Sequence, residues 1–281
     1  MRITFWNTKN NVSDETLATL IETTDTDVLV LAEYTRLEKS FKKYLLDKQK
    51  DRDRFLRYAA SKSLSLYTLS DETRITVFTK FTQADFYLIH EDKNYSVYSF
   101  TKRGRLSLLF GFVHLSSKKY TNEEDQADEA ENLHCQIKKG EQKVQHKNTL
   151  IVGDFNMNPF ERGMVSAKAL NAISCLKTAQ NIKRNRQNKD YLYFYNPSWS
   201  LLGDYKGTPG TYFYSEPHLT RYYWHLLDQV ILRPELDSYF DRDSLDVLTH
   251  VGSATLLDKQ GRPDKTQFSD HLPITFTLRT R

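Results

Sequence analysis

"IVGDFNMNPF", residues 151–160, ends an apolar run with Asp154 and Asn156 two positions apart and stops at Pro159. The run from Thr149 to Gly153 is β-type, and a proline cannot donate to a ladder, so the strand must end before it. Side chains two positions apart on a strand share a face. Asp154 and Asn156 are therefore expected side by side at the C-terminal mouth of a buried strand. The fold is decided by what else reaches that mouth.

Working outward, comparable runs appear at RITFWN (2–7), DVLVLAEY (27–34), RITVFTK (74–80), YSVYSFT (95–101), LSLLFGFVHL (106–115), GTYFYS (210–215), LLDQVILR (226–233) and PITFTLR (273–279). With NTLIVGDF (148–155) they make nine strands with few long helices between them. That pattern predicts two packed sheets and argues against strict βα alternation. Several strands are apolar on both faces, as when one face meets the opposite sheet and helices cover the other. Helix signals stand in three places. Ser13 can cap DETLATLIETT, with Leu17, Leu20 and Ile21 on one face. Thr121 and Glu124 form a capping-box pattern ahead of a long segment whose acids lead and lysines trail. A third helix is expected through ERGMVSAKALNAIS, residues 161–174. No repeat, Pro-rich linker or low-complexity tract marks a boundary, so residues 1–281 are expected to form a single domain.

Composition excludes some classes. Hydrophobic residues at 39% and charged residues at 27% suit a globular chain and not a disordered one. A net charge of +4 permits a polyanionic partner without requiring one. Cys135 and Cys175 are too few to staple a domain of this size and read as reduced thiols. The strand pattern begins within two residues of Met1, leaving no room for a signal peptide, and no run approaches the ~20 apolar residues of a membrane span. The expectation is a cytoplasmic protein with no membrane partner.

Polar residues gather at the strand ends. Asn7 ends the first run, Glu33 the second, His114 follows LFGFV, and Asp270 and His271 precede the last strand. Each has an ordinary alternative: a turn for Asn7, a structural histidine for His114, a turn cap for Asp270. Glu33 is harder to dismiss, because a carboxylate ending an apolar strand needs solvent or a partner. Were a divalent ion its partner, the hard carboxylate oxygen would suit Mg²⁺ or Mn²⁺.

Together, Trp6 with Asn7, Glu33, GDFN (153–156), LDQVIL (227–232) and SDHLP (269–273) resemble the endonuclease/exonuclease/phosphatase superfamily, with matches spanning nearly the whole chain. The resemblance implies a four-layered α/β sandwich, two packed, mostly antiparallel mixed sheets flanked by helices. It implies a metal-dependent hydrolase of phosphate esters, with Asn7, Glu33 and Asp270 around the ion. His271 would act as general base or phosphate contact, oriented by Asp228. Asp154 is the competing water activator, Asn156 would hold the phosphate, and His114 would donate to a non-bridging or leaving oxygen. Two features depart from the apurinic endonucleases of that group: Tyr120 lacks their surrounding motif, and Lys9 stands where several relatives carry an acid.

Substrate class rests on loops. Residues 36–62 carry ten Lys/Arg against four acids. Residues 176–190 add Lys177, Lys183, Arg184, Arg186 and Lys189, followed by the aromatic YLYFYNPSW. Cations neutralise phosphates and rings stack on bases, which favours nucleic acid, DNA first, read with little base specificity. Arg184, Arg186, Arg221 and Trp224 are the candidate substrate contacts. The competing reading is a phosphatase or phosphodiesterase on a small molecule, inositol phosphate or phospholipid headgroup; solvated helix faces and core aromatics would explain the same clusters.

Overall fold

The computed structural model describes residues 1–181, 183–186, 189–205, 207–215 and 223–280. Its first strand, β1 (Arg2–Asn7), pairs in parallel with β2 (Val28–Ala32) on one side and antiparallel with the final strand, Ile274–Leu278, on the other. The two ends of the chain thus meet in the middle of one sheet. Beyond β2 come β4 (Ile75–Thr79) and the short β3 (Tyr67–Thr68), and Phe240–Val247 closes the far edge, six strands in all among the described residues. The second sheet has seven, in the order β5 (Phe86–Asp92), β6 (Tyr95–Phe100), β7 (Leu108–His114), β8 (Thr149–Asp154), Asp228–Leu232, Phe194–Tyr195 and Ala172–Ile173.

Both sheets are mixed and mostly antiparallel, and they face each other. One apolar cluster takes Phe5, Val30 and Val77 from the first and Phe110, Phe112 and Val152 from the second, all buried. Helix α1 (Asp14–Thr24) covers the outside of the first sheet with Leu17, Leu20 and Ile21, capped by Ser13, whose side chain accepts the Thr16 N–H as the sequence predicts. Helix α3 (Glu123–Val144) covers the second with Ala130, Leu133 and Ile137. The expected four layers are all present.

Local expectations need correction in several places. The cap of α3 is Asn122 paired with Asp125, one residue later than the Thr121/Glu124 pattern; Asn122 accepts from the N–H groups of Glu124 and Asp125. The helix expected through 161–174 is confined to Arg162–Val165, and the GTYFYS run keeps only Tyr212–Phe213 as strand. Two edge strands, Phe86–Asp92 and Phe240–Val247, stand outside the nine expected runs, because an edge strand carries exposed polar and charged residues in place of clean alternation.

The largest miss is α2 (Phe41–Ser61), 21 residues beginning at the Ser40 cap. Its buried stripe is Tyr44, Lys48, Arg52, Phe55 and Ala59, so the helical spacing is regular but two of its five positions hold cations. Lys48 Nζ donates to Asp71 Oδ1 at 2.8 Å and to the carbonyls of Asp71 and Thr73, and Arg52 Nη1 to the Leu69 carbonyl. Arg54 binds Asp14 and Asp51, Lys43 binds Glu38, and Lys50 binds Asp47. Half of the ten cations in 36–62 thus bond within the protein, Lys48 and Arg52 buried and Lys43, Lys50 and Arg54 paired with acids at the surface, so the stretch is not a uniform phosphate-binding surface.

Candidate active site

Three adjacent strands of the second sheet end together at one mouth, and register decides what they present. His114 at the end of β7 lies beside Asp154 at the end of β8, and Asp228 lies directly opposite Asp154 on the other side. Gly153 makes this approach possible. At φ 154° a Cβ there would sit 1.9 Å from the Val113 carbonyl oxygen, so only glycine lets β7 and β8 close up one residue before the His114/Asp154 pair.

The first sheet delivers the rest. Asn7, at the end of β1 and buried, donates one amide to both Glu33 Oε1 (3.2 Å) and Asp154 Oδ2 (3.0 Å). It links the two sheets' acids. His114 Nε2 stands 3.4 Å from Glu33 Oε1 and 3.9 Å from Asp154 Oδ2. His271 Nδ1 bonds Asp228 Oδ2 at 2.8 Å, and its Nε2 stands 3.9 Å from Asp154 Oδ2. Asp270 is ion-paired with Lys9 at the rim. All eight residues expected to be catalytic or metal-binding are at this mouth.

Two of them are placed differently from expectation. Asn156 is not on the strand: β8 ends at Asp154, and Asn156 adopts φ 51°, so the two-residue alternation does not apply to it. Its N–H caps Asp154 Oδ1 (2.8 Å) and its amide donates to the Leu115 carbonyl (2.8 Å), bringing it to the mouth by a turn. Asp154 stands at the end of β8 as expected but is buried there, enclosed by Asn7, His114 and His271.

Sequence reasoning passed over the residues that brace this arrangement. Trp6 Nε1 donates to the His271 carbonyl (2.9 Å), and Ser269 Oγ to the Asn7 carbonyl (2.6 Å). Together they tie the SDH segment to β1. Tyr212 lies over the His271 ring with centroids 4.7 Å apart. The signals were WN next to SDH, but nothing in a single sequence shows that residues 265 positions apart bond.

Backbone strain concentrates here. Four of the eight described non-glycine residues with positive φ are Lys9, Asn10, Glu33 and Asn156. Left-handed conformations of such residues persist where surrounding bonds fix them, and they cluster at functional sites. The bonds are visible: Asn10 N–H donates to the Glu33 carbonyl (2.6 Å) and Lys9 N–H to Asn7 Oδ1 (3.2 Å).

Electrostatics divides the site into two halves. Burial opposes charge on His271, yet Asp228 and Asp154 outweigh it and raise its pKa from 6.5 to about 10, so the ring is an imidazolium at neutral pH. Asp154 is pushed up, chiefly by burial. Burial also works to raise Glu33, but His114 and Asn7 hold it down at about 2. Glu33 is therefore a persistent carboxylate, 35% exposed, beside the 20% exposed Asp270 and the Asn7 amide oxygen. Hard oxygen donors partly open to solvent fit Mg²⁺ or Mn²⁺, which retain much of their water. Asp154, Asp228 and His271 also place ligand-type atoms within 4.8 Å of one another. That trio is buried, and the Nδ1–Asp228 bond occupies that ring nitrogen and one Asp228 oxygen, so it suits proton and charge handling better than ion binding.

The expected substrate contacts are scattered. Arg184 Nη1 is taken by the Val165 carbonyl (2.7 Å) and Asn171 Oδ1 (3.1 Å), and among the described residues no bond joins Arg184 to the acids. Arg186 lies on the same two-stranded hairpin, Arg184–Arg186 with Lys189–Tyr191. Arg221 falls outside the described residues. Trp224 is half-buried edge-on against Phe213 (5.3 Å), in the hairpin that carries Tyr212.

No family model and no curated protein matches the sequence. Solved structures do match, over essentially the full length. An endonuclease/exonuclease/phosphatase family protein from Leptotrichia buccalis is 12% identical with a TM-score of 0.57, over 99% of each chain. D. rerio TDP2, complexed with a single-strand DNA product, is 14% identical with a TM-score of 0.53, over 99% of this chain and 98% of that one. The human Nocturnin catalytic domain with bound sulfate is 14% identical at 0.51, over 100% and 94%. At these identities the likeness establishes the fold, that of the endonuclease/exonuclease/phosphatase group.

Proposed function

We propose that this chain is a single-domain, divalent-metal-dependent phosphoesterase, and that its substrate is nucleic acid, DNA first, cleaved with little sequence specificity. The observation that carries the reading is the convergence, from both sheets, of a persistent carboxylate (Glu33), a buried acid (Asp154) and a histidine held charged by an aspartate (His271 with Asp228). The DNA product bound to D. rerio TDP2, a protein of the same fold, supports the substrate class.

Glu33, Asp270 and the Asn7 amide oxygen are the residues that would hold Mg²⁺ or Mn²⁺, which when bound neutralises charge on the phosphoryl oxygens. Asp154 is the group suited to take the proton from the attacking water. It is buried, its basicity is raised, and Asn7 and Asn156 fix both its oxygens. His271, already protonated, is assigned to the developing phosphoryl charge and not to proton abstraction. Asp228 keeps it charged and oriented. Water oxygen bonds to phosphorus as the bond to the leaving oxygen breaks, and His114 and Asn156 are assigned to donate to phosphate oxygens.

Purified protein incubated with supercoiled plasmid, short single strands and an inositol phosphate, each with Mg²⁺ or chelator, tests this. Chelator-sensitive cleavage of the DNA substrates is the expected result. Turnover of the inositol phosphate alone would transfer the assignment to small phosphoesters, and no turnover of any substrate would refute the enzymatic reading.

A further inference from the structure

At the rim of the mouth the Lys9 ammonium donates to Asp270 Oδ2. The two side chains are 45% and 20% exposed, so the pair forms within reach of solvent and substrate. Its geometry is imposed. Lys9 and Asn10 are both left-handed, their N–H groups fastened to Asn7 Oδ1 and the Glu33 carbonyl. Asp270 is bracketed by Ser269, bonded to the Asn7 carbonyl, and by His271, bonded to Asp228. The residues that arrange the acid cluster also aim Lys9 and Asp270 at each other.

An ammonium and a hard divalent ion compete for the same carboxylate lone pairs. A partly exposed ion pair is weak, so the ion can displace it. The displaced ammonium stays tethered at the mouth, beside the place where a phosphate would sit, and a flexible lysine acts there as a point charge. We propose that Lys9 is an exchangeable counter-ion: it neutralises Asp270 without metal, yields that oxygen to the divalent ion, and then contacts a non-bridging oxygen of the substrate phosphate. The proposal rests on the metal-dependent reading above.

Calorimetric titration of Mn²⁺ into metal-free wild type, Lys9→Met and Lys9→Arg tests the first half, with no turnover needed. Lys9→Met is expected to bind Mn²⁺ about five-fold tighter, because one competing ion pair is gone, and Lys9→Arg to stay near wild type. At saturating Mn²⁺, KM for a short DNA substrate should rise about ten-fold in Lys9→Met, from the lost phosphate contact, with kcat changing less and Lys9→Arg restoring most of it. Unchanged Mn²⁺ affinity or unchanged KM in Lys9→Met overturns the exchange. Absence of Mn²⁺ binding in every form removes the metal reading itself and this proposal with it, whereas a wild type that binds and a Lys9→Met indistinguishable from it removes only the role of Lys9.

Discussion

Replacing Asp228 with Asn preserves shape and removes one charge, which makes it the cleanest probe of the site. In the wild type His271 holds its proton to about pH 10 against 6.5 for a free side chain, despite burial that opposes the charge. At 1.36 kcal/mol per pH unit, that difference is worth roughly 5 kcal/mol of folding free energy, an order-of-magnitude figure. The sign is fixed. Because the folded pKa is the higher one, the stabilisation is complete below about 6.5 and is lost as pH rises through about 10. Asp228→Asn removes the largest attraction and leaves a buried amide where Asp228 Oδ1 has no hydrogen-bond partner. The His271 pKa should fall by more than about two pH units, and stability at pH 6.5 by about 3–5 kcal/mol, as when one partner of a buried pair is lost. That corresponds to a Tm drop of roughly 6–15 °C. Turnover should fall by about 100-fold or more, because the ring is no longer reliably charged at neutral pH. The assay is denaturant unfolding of both proteins from pH 6 to 10.5, with the His271 imidazole resonance followed by NMR. Wild-type stability must decline across that window and the variant's curve must be flatter; parallel curves, or a His271 titration unchanged by the substitution, would refute the reasoning.

Glu33→Gln should weaken Mn²⁺ binding at least about ten-fold by calorimetry, because it removes the charge of a persistent carboxylate at the mouth; equal affinity would place the ion elsewhere. Gly153→Ala should cost about 3 kcal/mol or more, or prevent folding, since its Cβ has no room beside the Val113 carbonyl; a wild-type thermal melt would contradict the register described for β7 and β8. Lys48→Met should lower stability by about 3–5 kcal/mol by stranding Asp71, while leaving KM for DNA unchanged in the folded fraction. A raised KM with an unchanged melt would return α2 to the list of substrate surfaces.

The central strands and the site were legible because their residue types admit few other uses. An apolar run that ends in Gly-Asp, or one that follows Ser-Asp-His, can hardly be read as anything but a buried strand with a polar end. What stayed hidden was information carried by partners distant in sequence. Lys48 and Arg52 occupy core-facing turns of α2, and only Asp71 and the Leu69 carbonyl explain why cations are tolerated there. The Phe240–Val247 edge is rich in acids and resembles a loop until its pairing with Ile274–Leu278 is seen. Asn156 was given to a strand face by simple alternation, and a left-handed turn invisible in composition took it off that face. The charge state of His271 depends on acids from two other strands, and no local pattern carries it.

Asn7 and His271 stand 264 positions apart, yet the indole of Trp6 grips the backbone of one beside the other, and the last strand seals against the first. A polypeptide still emerging from the ribosome would already own Glu33, His114 and Asp154, but would lack the imidazolium and the lacing that orders them. On the proposed reading, hydrolytic competence would therefore wait until residues 269–278 have been made and joined to β1, however early the acids emerge.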